Sequence, residues 1–176
     1  MKISICGASD GANDEEIKKK AFEIGKALAE NNVLVLTGAT YGYPHAAAKG
    51  AFSSNGKVMG ISPAKDKKEH AERYKFPTDS HTQIEFTGLG IPGRNYPLVK
   101  EGDAVIIISG QIGTLNEFTL AFHAKKPIGI LKGSGGVTEI IDKIAGICSK
   151  NNERDNIVYS SDPKELVRLV MDKLNQ

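Results

Sequence analysis

The sequence predicts an α/β protein of the Rossmann-like, doubly wound type: a single domain on a parallel sheet of about seven strands. Three observations carry that prediction. Short β-branched runs alternate with amphipathic stretches from one end of the chain to the other. Several runs, such as VLVLTG (33–38) and DAVIIIS (103–109), are almost wholly apolar, the pattern of strands buried on both faces. Glycine follows many of the runs, where a turn leaves the sheet edge.

Each element has its own signal. KISICG (2–7) is the first strand, and DEEIKKKAFEIGKALAENN (14–32) the first helix, with Ile17, Ala21, Ile24, Ala27 and Leu28 on one face. The strand 33–38 leads into a small-residue helix, PHAAAKGAFSSNG (44–56), with Pro44 in its first turn. Strand KVMGIS (57–62), a polar segment (63–80) and strand TQIEFTG (82–88) follow, then a helix over GRNYPLVKEG (93–102). After the strand 103–109 come helix 113–124, strand PIGIL (127–131), helix 136–150, strand NIVYSS (156–161) and helix 162–176. The last helix opens with Asp162 as N-cap, Pro163 at the first position and Glu165 at the third.

With 176 residues, 40% hydrophobic and 25% charged, the chain has the composition of a globular domain. A formal charge of +2 argues for neither nucleic-acid nor membrane partners. Two isolated cysteines, Cys6 and Cys148, both in apolar surroundings, suggest a reducing, cytoplasmic setting, and Cys6 reads as a small buried residue. No apolar stretch approaches the ~20 residues of a membrane span. The four histidines are scattered at 45, 70, 81 and 123, so no metal site is expected, and no cofactor is expected either.

In a doubly wound sheet ligands bind beyond the carboxyl ends of the strands. The loops to read are therefore Gly7–Asn13, Gly38–Pro44, Gly88–Asn95, Gly110–Thr114 and Lys132–Gly136. A glycine turn feeding a helix offers unpaired N–H groups to phosphate or carboxylate. Gly110, Gln111, Ile112, Gly113 and Thr114 are candidate anion contacts, with Gly38, Ala39, Thr40, Gly7 and Ala8 on the neighbouring loops. Thr114-Leu115-Asn116-Glu117 also fits a capping box, with Glu117 folded back onto the cap; catalysis is the competing role. Arg94 is either a surface residue or an anion clamp. His45 is an exposed helix-start residue or part of the pocket. The stretch AKDKKEHAERYK (64–75) is a solvated mobile loop or a lid.

The run GRNYPLVKEGDAVIIISGQIGTLNEF resembles the LOG (LONELY GUY) family of Rossmann-like proteins, often labelled lysine decarboxylases, to which molybdenum-cofactor carrier proteins are related. The family pattern is an Arg-Lys pair on a helix, an Ala-Asp strand, then Pro-Gly-Gly-x-Gly-Thr-x-x-Glu. Here the pair is Arg94-Asn95, and Ser109-Gly110-Gln111 stands for Pro-Gly-Gly. VLVLTGATYGYPHAAAKGA and ISICGASDG resemble the family's earlier loops. The resemblance implies cleavage of the N-glycosidic bond of a nucleoside 5′-monophosphate, giving free base and ribose 5-phosphate. It implies Arg94 and Glu117 as the catalytic pair, Gly113 and Thr114 as phosphate ligands, and a homodimer. The alternative is a non-catalytic carrier of a nucleotide or of a pterin such as the molybdenum cofactor.

Overall fold

The structure, a computed structural model, describes residues 1–149 and 151–176. Seven parallel strands form one sheet: β1 (Lys2–Gly7), β2 (Leu34–Thr37), β3 (Val58–Ser62), β4 (Gln83–Phe86), β5 (Ala104–Ile108), β6 (Ile128–Leu131) and β7 (Ile157–Ser160). Their spatial order is β4-β3-β2-β1-β5-β6-β7. The chain winds outward from β1 to β4, returns to lay β5 against the other side of β1, and winds outward again. Successive crossovers therefore diverge between β1 and β5, where Ile3 pairs with Ala104 and Gly7 with Ile108. That crevice is where such a sheet binds ligands.

Among the described residues, six α-helices cover the sheet: α1 (Glu15–Glu30), α2 (Gly42–Ser53), α3 (Gly90–Glu101), α4 (Ile112–His123), α5 (Ile141–Cys148) and α6 (Pro163–Leu174). Alternation along β5 shows how the faces are shared. Ala104, Ile106 and Ile108 join Ile24, Leu28, Ala47 and Val170 in a core beneath α1, α2 and α6. Val105 and Ile107 join Leu98, Phe118 and Ile141 beneath α3, α4 and α5. Every residue of β5 is buried, as its unbroken β-branched run requires. The caps at Asp14 and Asp162 both form: Asp14 accepts from the amides of Glu16 and Ile17, and Asp162 from that of Glu165.

Several expectations are corrected. The helix expected over 136–150 divides into a tight turn, Gly136–Glu139, and α5; its last expected residue, Lys150, lies outside the described residues. Helix α3 begins at Gly90, three residues earlier than its polar stretch suggested, and carries Pro97 inside it. Cys148 is exposed while Cys6 is buried. The segment after β3 is largely exposed, as a solvated stretch is, but it is pinned at one point. His70 is fully buried within a helical turn, its Nδ1 paired with the Ser62 hydroxyl at 2.9 Å and its Nε2 with the Pro77 carbonyl at 3.1 Å. Its ring meets Phe76 and Phe86 edge-on.

Helices α1 and α2 approach each other through glycine. A Cβ on Gly25 would lie 1.8 Å from the Ala47 carbonyl oxygen, and one on Gly50 would lie 1.9 Å from that of Phe22. Neither atom is a flexible side-chain end, so the backbones themselves would have to part. Gly25→Ala is expected to destabilise the fold by roughly 1–3 kcal/mol despite the better helix propensity of alanine, as an overpacked core does. Urea denaturation with an unchanged m-value checks this.

Candidate functional site

The site grows out of the turn that leaves β5. Ser109 and Gly110 both adopt positive φ, 56° and 101°, which swings the chain from the strand into α4. Gly110 is required there: a Cβ would stand 2.2 Å from the Thr114 hydroxyl. The loop after β6 braces this turn from outside. The Ser134 hydroxyl accepts from the Ser109 amide at 2.8 Å and donates to the Leu131 carbonyl at 2.7 Å, and the Val137 amide donates to the Gly110 carbonyl at 2.9 Å. Gly136 belongs to this brace, since a Cβ there would stand 2.3 Å from the Gly110 carbonyl oxygen.

Helix α4 starts at Ile112 with Gln111 as its cap, so the capping box centred on Thr114 does not form. Thr114 is already inside the helix, and Glu117 lies a turn deeper, turned away from the backbone it was expected to cap. The first helical bond runs from the Leu115 amide to the Gln111 carbonyl. Among the described residues, the amides of Ile112, Gly113 and Thr114 have no protein acceptor. These are the donors that make a helix N-terminus an anion site. Gly113 adds room, since a Cβ there would meet no atom within 4 Å.

Arg94 reaches the same place from α3. It is 7% exposed, not a surface arginine, and its Nη1 donates to Glu117 Oε1 at 3.1 Å. Gly38 is its seat: a Cβ there would come within 2.5 to 2.7 Å of the guanidinium. The Arg94 Nε is buried with no partner among the described residues. Burial pushes the Glu117 carboxyl above its ordinary range, opposed by the Arg94 charge and by hydrogen bonding from the Cys6 thiol. Burial, with the Glu117 charge second, pushes the Cys6 thiol far up, so it stays a protonated donor. Asn95, one residue on, ties the two helices: its Nδ2 donates to the Gly113 carbonyl at 3.3 Å and to Asn116 Oδ1 at 3.0 Å.

These groups enclose a cavity of about 150 Å³ at the β1/β5 crevice. Arg94, Glu117, Gln111, Ile112, Gly113, Thr114, Gly38, Thr40, Gly7 and Ala8 all line it. Two candidates do not. Gly110 is packed beneath Thr114, and Ala39, fully buried at φ 52°, turns its methyl toward Gly60 of β3. The second glycine loop is also a poorer anion site than its sequence suggested. The Tyr43 amide at the start of α2 is spent on the Ala8 carbonyl at 3.0 Å, and Pro44 has no N–H. Sequence reasoning missed Cys6, which reads as filler until β1 places it beneath Glu117, and Asp10, which joins the lining from the loop after β1.

A doubly wound parallel sheet with an open, amide-lined helix N-terminus at its switch point defines a Rossmann-like protein with its cavity where such sheets bind ligands. Within that class the chain belongs to the SLOG cluster4 family, which it matches over residues 1–167. It is 32% identical over 133 residues to an uncharacterized protein of Archaeoglobus fulgidus, covering 75% of this chain and 80% of that one. The solved structure of a molybdenum cofactor binding protein from Rippkaea orientalis is similar at 26% identity and a TM-score of 0.81, covering 97% of this chain and 95% of the other. The molybdenum cofactor carrier protein of Chlamydomonas reinhardtii shares the fold at 24% identity and a TM-score of 0.81, covering 99% and 98%. No helix among the described residues is long and apolar enough to cross a membrane.

The ion pair makes a stability prediction. Arg94→Ala strands a buried carboxylate and should cost roughly 3–5 kcal/mol, whereas Arg94→Met with Glu117→Leu should recover most of it, because breaking such a pair costs more than replacing it. The pH dependence has a definite sign. With its folded pKa raised above the ordinary 4.5, Glu117 contributes stability that is full below that value and declines as pH rises through the folded one. Glu117→Gln should remove this decline, read as the difference between denaturation curves collected from pH 4.5 upward.

Proposed function

We propose that the protein binds a phosphorylated heterocyclic small molecule, a nucleotide or a pterin of the molybdenum-cofactor kind, and acts as its binder or carrier. The observation that carries this reading is the set of unpaired amides at Ile112, Gly113 and Thr114, open to the cavity and flanked by Arg94. Phosphate suits such donors, and its remaining oxygens suit a guanidinium. The similarity to the Rippkaea orientalis protein supports the choice of ligand class. Glu117 favours binding over turnover, because the residue is 5% exposed and its carboxylate is already engaged by Arg94.

A second reading, hydrolysis of a nucleoside 5′-monophosphate, keeps one specific support: Glu117 faces the cavity and does not cap its helix. A carboxylate beside a ribose stabilises the oxocarbenium-like charge that builds as a glycosidic bond breaks, or takes a proton from the attacking water. In that reading Arg94 and Glu117 are the catalytic pair. A homodimer is part of both readings, with the exposed side chains of Leu89, Ile91, Tyr96 and Ile112 beside the cavity as the face it would cover.

The test separates the two. Native mass spectrometry of untreated protein is expected to show a retained phosphorylated ligand, and incubation with nucleoside monophosphates is expected to release no base. Gly113→Leu, which fills the open side of the cradle, should leave the melting temperature within a few degrees while lowering ribose 5-phosphate affinity at least about tenfold, since a substitution into free space disturbs no packing. Release of free base, lost in Glu117→Gln, would establish the hydrolase instead.

A further inference from the structure

The cavity at α4 is too small for a whole nucleotide or pterin. Its volume of about 150 Å³ falls below the ~300–1,000 Å³ of ordinary ligand pockets. Ser9 and Asp10 form a lip, and beyond that lip lies a second cleft of about 530 Å³, which shares both residues. It runs between the loop after β1 and the first turns of α2, and Tyr41, His45, Lys18 and Lys49 line it.

Two of these residues are prepared for a planar heterocycle. Tyr41 is 45% exposed, yet its hydroxyl bonds the Lys75 carbonyl and its ring meets Phe76 edge-on, so an open aromatic face is held in one orientation. His45 is only 8% exposed. Its Nε2 faces Asp79 Oδ1 at 3.4 Å, its ring stacks on that of His81, and its Nδ1 has no partner among the described residues. Burial lowers the His45 pKa, against the pull of Asp79, and so favours a neutral ring. With the Nε2 proton toward Asp79, Nδ1 is a bare acceptor, and a buried acceptor left unpaired is costly until something donates to it. Lys18 and Lys49 supply donors at the mouth, although Lys18 also pairs with Glu15 and Lys49 lies 3.9 Å from Asp79.

We infer that the ligand spans both cavities: its phosphate lies on the amides of α4, and its heterocycle crosses the Ser9–Asp10 lip to stack on Tyr41 and donate an N–H to His45. This rests on the phosphate-cradle reading above and adds the class of the other half, a planar nitrogen heterocycle with an N–H donor on its edge.

Isothermal titration with three probes tests it. Ribose 5-phosphate occupies the first cavity alone; AMP adds a heterocycle with an exocyclic amino donor; purine riboside 5′-monophosphate keeps the ring and lacks that donor. The wild type is expected to bind AMP at least about tenfold more tightly than either of the others, the scale of one base stacked on an aromatic side chain or one charge-free hydrogen bond. Tyr41→Ala should weaken AMP about tenfold and leave ribose 5-phosphate unchanged; because Tyr41 is on the surface, this variant stays folded. His45→Leu should erase the preference for AMP over purine riboside monophosphate, and His45→Asn, whose side-chain oxygen replaces the Nδ1 acceptor, should restore it. Equal affinity for all three probes, or equal losses for ribose 5-phosphate and AMP in Tyr41→Ala, overturns the second subsite and leaves the cradle standing. Binding of none of the three overturns both.

Discussion

The site is organised around one interaction, the buried contact between Arg94 and Glu117 across the crevice where the sheet reverses its winding. The two residues lie 23 positions apart and belong to α3 and α4, on either side of β5 in the chain. Neither charge is tolerable alone at this depth. Their pairing therefore obliges α3 and α4 to sit side by side, and Asn95 adds a neutral tie at the next residue. Gly38 has no side chain because the guanidinium needs that space, and Cys6 stays a thiol because burial, and secondly the carboxylate above it, disfavour a negative charge there. Four elements, β1, the loop after β2, α3 and α4, thus meet at one ion pair.

The pair also shapes what the cavity attracts. A guanidinium already engaged by a carboxylate contributes little net charge, and Asp10 on the lip is a further negative group. Coulombic attraction from side chains is accordingly weak here. In the proposed role the pull on an anion comes from oriented backbone dipoles, the amides of α4 that have no acceptor among the described residues. The loop after β6 matters for that reason. Ser134 and Val137 lock the Ser109–Gly110 turn, so the amides cannot relax to find partners within the protein. The Nε of Arg94, buried and without a partner among the described residues, is a side-chain donor at the same place.

Much of this was legible in the sequence, and the legible part has a physical reason. Strand and helix periods differ, so the seven strands and the winding of the sheet could be read from alternation and from apolar runs such as AVIII. The glycine turn after β5 announced the ligand edge because few residues other than glycine tolerate such backbone. What could not be read were relations between distant segments. The capping-box pattern at Thr114 is a local signal, and it was overridden by Arg94, a residue on another helix that gives Glu117 a better partner than its own backbone. His45 read as an exposed helix-start residue or part of the pocket, and His70 fell in a stretch read as a solvated loop or a lid; contacts with Asp79, Ser62 and Pro77 made burial possible for them. The glycines split in the same manner. Gly110 and Gly136 meet local or loop geometry, whereas Gly25 and Gly50 record a helix crossing that no single segment encodes.

That split bears on how function is divided over the surface of the fold. The cradle at α4 is built from backbone, and backbone donors accept any phosphate without regard to what it carries. Discrimination has to come from side chains elsewhere. Toward the β2 side of the crevice, α2 has its Tyr43 amide closed by Ala8 and its third position filled by Pro44, so its start offers fewer free amides than that of α4. The first turns of α2 present Tyr41 and His45, groups that suit the flat, weakly polar part of a molecule. In the proposed binding mode anchoring and recognition lie on opposite sides of β1, and the two cavities share Ser9 and Asp10 in their linings. A chain that kept the cradle and changed the α2 turn would hold a different ligand by the same phosphate.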